Sequence, residues 1–114
     1  MEMKIAIPVA DGQLCAHFGH CQQFELLSVD TASKKILDRE TLTPPAHEPG
    51  VLPRWLRENG ATTIIAGGMG YRAQSFFDQY GIEVIVGAAS DRPEAVVQAF
   101  LDGTLEQGPN ACDH

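Results

Sequence analysis

Basic residues are scarce in this chain. Lysine and arginine together number 8 against 15 aspartates and glutamates, a formal net charge of −7. Nucleic-acid binding rests on neutralising phosphates with a basic patch, and none is visible, so no nucleic acid is expected as a partner. The same charge disfavours an anionic membrane surface. Long apolar runs are also missing, and none approaches the ~20 residues that cross a bilayer. The opening MEMKIAIPVA has no basic stretch ahead of a long apolar one and does not read as a secretion signal, so a cytoplasmic location and no membrane association are expected. There are three cysteines, an odd number that makes a poor disulfide framework. In a reducing compartment, free thiols are the default and metal ligation is the notable alternative. Repeats, linkers and low-complexity segments are absent. So are the nucleophile elbow, the P-loop lysine and the HExxH zinc motif, and no enzymatic activity is expected.

What is present is an ordinary soluble composition, 44% apolar and 20% charged, on a chain of 114 residues, enough for one core. The turn signals divide it cleanly. Lys4–Val9, Phe24–Val29 and Ile36–Leu42 read as three strands, the first two apolar and the third alternating. Residues 10 to 21 form a loop opened by the Asp11-Gly12 turn pair. The segment PPAHEPG, with three prolines, interrupts regular structure before a helix from Pro53 to about Asn59. Thr62–Ala66 is a fourth strand running into Gly67-Gly68-Met69-Gly70. A second helix covers Tyr71 to Tyr80, Ile82–Val86 is a fifth strand, and Asp91, Pro93 and Glu94 open a third helix that Gly103 ends. The expectation is one α/β domain over residues 1–103, with a polar tail, 104–114, able to fold back on the site.

The order βββαβαβα implies a three-stranded meander followed by right-handed crossovers, giving a mixed five-stranded sheet with three helices that resembles the ribonuclease H-like architecture. Threaded on that plan, the loop after strand one, the PPAHEPG segment and the GGMG turn all emerge at one edge, beyond the carboxyl ends of the parallel strands. Open α/β sheets bind ligands at such an edge.

That edge receives an unusual set of side chains. CAHFGHC places Cys15, His17, His20 and Cys21 within seven residues. Thiolates and imidazoles suit zinc, copper and iron–sulfur species rather than calcium or magnesium. His47 enters on PPAHEPG, and Cys112 and His114 close the tail, so every histidine and cysteine lies in one of three irregular segments. Eleven tail residues extend up to ~35 Å, which reaches the edge. Cys15 and Cys21 also suit the role of packed thiols, because free cysteine is often buried. The glycines of GGMG let backbone amides approach an anion beside a helix N-terminus, although a tight turn alone also needs glycine. Gly67, Gly68, Met69, Gly70 and Arg72 are therefore candidate cofactor-binding residues, Met69 being equally suited to filling the core.

Taken together, KIAIPVADG…HFGHC, PPAHEPGVLPRWL, GGMGYRA and the ending NACDH resemble the dinitrogenase iron–molybdenum cofactor biosynthesis family along essentially the whole chain. The resemblance implies a ribonuclease H-like fold without nuclease activity. It also implies a small non-enzymatic carrier for the iron–molybdenum cofactor, its precursors or another metal–sulfur cluster; the orange protein, one relative, holds a molybdenum–copper sulfide cluster. The family's HFG histidine maps onto His17, and His20 matches a subset of members. A cofactor-assembly or acceptor protein is then the expected partner, and a monomer or weak dimer the expected state. The alternatives are a mononuclear zinc or copper protein, and a metal-free module that regulates a metalloenzyme or an ATPase.

Overall fold

The computed structural model describes residues 2–15, 22–45, 51–88, 91–105 and 107–108. Its six strands are β1 (Glu2–Ala10), β2 (Gln13–Leu14), β3 (Gln23–Asp30), β4 (Lys35–Leu42), β5 (Thr63–Ile65) and β6 (Glu83–Ile85). Its three helices are α1 (Val51–Glu58), α2 (Tyr71–Gln79) and α3 (Pro93–Asp102). The sheet order is β4-β3-β1-β5-β6, with β2 paired to β1. Strand β3 runs antiparallel to β1 and β4, while β5 and β6 run parallel to β1. This is the mixed α/β plan expected from the sequence, with one addition. The loop after β1 contains a short strand, because Asp11 and Gly12 adopt positive φ and turn the chain back so that Leu14 pairs with Val9.

Strand alternation sorts the core onto the two faces of the sheet. Ala6, Phe24, Leu26 and Ile64 face Leu52 and Leu56 of α1 and Phe77 of α2. Ile5, Ile7, Val9, Leu27, Val29 and Ile65 face Val96 and Val97 of α3. Burial on both faces explains why β1 and β5 read as apolar runs rather than alternating ones. Strand β4 is the exception. It lies at the sheet margin with Asp38, Arg39 and Glu40 exposed and a register shift between Ser28 and Val29, features that discourage pairing with another chain.

One buried acid escaped notice in the sequence. Glu25 on β3 is 7% exposed. Arg39 of β4 donates to it through Nε and Nη2, both at 3.2 Å, and Thr41 donates through its hydroxyl at 2.9 Å. Arg39 Nη1 also reaches Glu94 in the first turn of α3 at 2.7 Å. The hydrogen bonds to Glu25 hold the Arg39 guanidinium above its ordinary value. Two strands and a helix are thereby tied through one side chain.

The chain after α3 turns back toward the sheet. Gly103 takes a left-handed conformation, and Thr104 and Leu105 both donate to the Ala99 carbonyl. Leu105 packs on the α3 side of the core, Gln107 forms an antiparallel bridge with Ala88, and Gly108 donates to the Gly87 carbonyl at 2.7 Å. Gly87 has φ of 87°, and a Cβ there would collide with the Gly108 carbonyl. A side chain is excluded by backbone conformation and by space together.

Two outcomes follow. Gly87→Ala should lower stability by about 1–2 kcal/mol and make the segment after Asp102 protease-sensitive while the sheet amides stay protected from exchange. Arg39→Met should cost about 1–3 kcal/mol in urea unfolding, because it strands the Glu25 carboxylate. Adding Glu25→Leu should restore part of that loss, since a buried pair replaced on both sides often costs little.

Candidate functional site

Strands β1, β4, β5 and β6 end at one edge of the sheet, where the residues flanking segment 16–21 lie together with the GGMG turn. Cys15 donates its backbone N–H to Pro8 at 2.8 Å, and Gln22 donates to Val9 at 2.8 Å. Cys15 and Gln22, which flank segment 16–21, are thus held on opposite sides of β1 near its end. Pro8 has no N–H to return to Cys15, so the β1–β2 ladder stops there. Cys15 itself is half-buried and packs against the core cluster that contains Phe24, Ala66 and Met69. On the neighbouring strand end, Phe24 meets Trp55 edge-on, with ring centroids 5.7 Å apart, and this contact seats α1 against the sheet.

The GGMG turn completes the edge. Gly67, Gly68 and Met69 are buried and Gly70 is exposed. The Gly67 carbonyl accepts from Gly87, and the Met69 carbonyl accepts from the Gln74 side chain at 2.8 Å. The Met69 side chain is fully buried among Ala66, Leu56 and Phe77. It serves the core in this structure. Gly70 is the N-cap of α2 and supplies no side chain to the helix, whose first turn holds no acid and carries the exposed Arg72. A helix start of this kind presents backbone N–H groups and the positive end of its dipole to an anion.

The other ligand candidates, His17, His20, Cys21, His47, Cys112 and His114, lie outside the described residues. Among the described residues, no group of three or more histidine, cysteine, aspartate or glutamate side chains is placed to hold a metal ion. Also among the described residues, no helix is long and apolar enough to cross a membrane. Sequence reasoning missed the tail's attachment at Gly87. The signal available was a glycine just past β6 facing another in the tail, which marks a close backbone approach.

A family model described as "Dinitrogenase iron-molybdenum cofactor" matches residues 1–103. The chain belongs to the dinitrogenase iron–molybdenum cofactor family. Within known proteins it is similar to an uncharacterized protein of Methanocaldococcus jannaschii, 32% identical over 109 residues, covering 92% of this chain and 91% of that one. The crystal structure of PH0822 superposes with a TM-score of 0.87 at 28% identity, covering 98% of this chain and all of that one. The apo form of the orange protein from Desulfovibrio gigas shares the fold, with a TM-score of 0.70 at 24% identity and coverage of 95% and 94%. The family match ends at Gly103, so the tail and its contact with Gly87 lie beyond the shared model.

Gly70 offers a test of the helix start. Its φ of −67° and ψ of 158° suit any residue, and a Cβ there meets no atom within 4 Å. Gly70→Asp should raise stability by a few tenths to about 1 kcal/mol, because a carboxylate caps the first turn and faces the positive dipole end. Urea unfolding of the metal-free protein measures the gain.

Proposed function

We propose that this chain is a non-enzymatic carrier for an anionic metal–sulfur cluster, of the iron–molybdenum cofactor type or a related iron–sulfur or molybdenum–copper sulfide. The observation that carries the reading is the meeting of three features at one sheet edge. Both ends of segment 16–21 are pinned to Pro8 and Val9, the GGMG turn lies alongside, and α2 starts there with Arg72 and without an acid. Family membership supports the choice of cargo.

The roles divide by chemistry. His17 and His20 are the foremost ligands, with His47, Cys15 and Cys21 as further donors, since imidazole and thiolate suit soft metal centres. Of the turn glycines Gly67, Gly68 and Gly70, the first two are buried and Gly70 is exposed, so Gly70 would offer its backbone amide to the cluster's sulfides, and Arg72 would offset its charge. Gly108, bonded to Gly87, starts the last six residues at this end of the sheet. Six residues span up to about 20 Å, which brings Cys112 and His114 within reach, so the end of the tail, 109–114, would close over the cargo while Leu105, Gln107 and Gly108 stay fastened to the domain. A cofactor-assembly or acceptor protein would supply or receive it.

Anaerobic reconstitution tests this, once with iron and sulfide and once with thiomolybdate and copper, followed by metal and sulfide analysis. His17→Ala, His20→Ala and Cys112→Ala should each lower cluster uptake at least severalfold, and Gly70→Asp should lower it while stabilising the fold. Unchanged stoichiometry in all three alanine variants would overturn the placement. Uptake of zinc or copper with no sulfide requirement would replace the cluster by a mononuclear site.

A further inference from the structure

We propose that the edge of β6, which no further strand covers among the described residues, and the adjoining stripe of α2 form a docking groove for an extended, basic segment of a partner protein. The groove has a volume of about 470 Å³ and is lined by Tyr71, Gln74, Ser75 and Asp78 of α2 with Ile82, Glu83 and Val84. The α2 residues recur at the spacing of one helix face. Strand β6 is last in the sheet order. Its hydrogen bonds to the interior are made by alternate residues: Glu83 donates to Thr62, and the Ile85 carbonyl accepts from Ala66. The parallel ladder therefore turns the N–H and C=O of Val84 outward, to the open edge. Outward backbone groups of this kind pair readily with an added strand.

The edge already accepts such a partner at its upper end. Gln107 bridges Ala88 in antiparallel sense and Gly108 donates to Gly87. The charge of the rest of the tail does not fit the groove. Asp78 and Glu83 are exposed acids, the groove contains no basic residue, and PNACDH has no lysine or arginine. A second copy fares no better, since pairing β6 with β6 would set Glu83 and Asp78 against their own kind on a chain of net charge −7. The occupant that satisfies the groove is a strand alternating apolar and basic side chains. Its apolar residues would rest on Val84 and on Tyr71, which is 73% exposed. Tyr71 directly follows the GGMG turn, so on the reading above the partner lies next to the cargo.

Isotope-labelled, metal-free, full-length protein titrated with an octapeptide of alternating valine and lysine tests the groove, with a valine–glutamate octapeptide as control. Amide shifts should concentrate at Tyr71–Asp78 and Glu83–Val86 for the lysine peptide only. Asp78→Lys combined with Glu83→Lys should weaken it at least about tenfold and confer binding of the glutamate peptide. Val84→Pro, with core shifts as a folding check, should abolish binding. Equal binding of both peptides, no binding of either, or undiminished binding by the charge-reversed variant would overturn the proposal. Cross-peaks from residues 109–114 to Val84, or a dimer formed through β6, would overturn it in favour of the tail or a second copy. No metal enters this experiment, so its outcome is separable from that of cluster reconstitution.

Discussion

The two hydrogen bonds from Cys15 to Pro8 and from Gln22 to Val9 are the constraint on which the rest of the edge depends. Strand β1 is where the sheet changes character, antiparallel toward β3 and parallel toward β5. Because the two bonds fall on adjacent residues of one strand, they point to opposite sides of it. Cys15 and Gln22 therefore stand on either side of the seam between the two halves of the sheet. The parallel half then brings its own strand ends to the same level, and helix starts follow strand ends. The gathering of α2, the GGMG turn and the α3 start around this seam is a consequence of that pairing.

Charge follows the same geometry. Arg54 lies in α1, Arg72 in the first turn of α2, and Arg92 is the N-cap of α3, all exposed. Each stands near a helix start, where acids are ordinarily favoured. The three lysines, Lys4, Lys34 and Lys35, occupy the opposite end of the sheet, near the start of β1 and the β3–β4 turn. An acidic protein thus keeps arginine at the edge where negative cargo is proposed to sit. Local helix stability is forgone there, which is how binding sites commonly differ from the rest of a fold.

The fold was legible because its elements carry strong, independent signals. The apolar runs of β1 and β5, the glycine after α3, and the helical spacing of Val96 and Val97 each pointed one way. Pro53 marked α1 slightly late, since the helix begins at Val51 and accommodates proline within its first turn. Strand β2 was missed because two residues carry no period, and only the positive φ of Asp11 and Gly12 creates it. Glu25 was missed for a related reason: a single acid in FELLSV looks like the solvent side of a strand, and its partner Arg39 is 14 residues away. Of the candidate site, the convergence of strand ends could be derived from strand directions alone. The tail's return could not, because it rests on two glycines meeting backbone to backbone, a contact without a side-chain pattern to read.

That meeting also sets how the first and last described residues lie along the sheet. Glu2 pairs with Asp30 at the far end of the nine-residue strand β1, whereas Gly108 is fastened beside the strand ends where the site is proposed. Nine residues of strand separate the two levels by roughly 30 Å. A probe placed on Gln107 would therefore report on the strand ends beside the candidate site, and one on Glu2 on the opposite pole of the sheet.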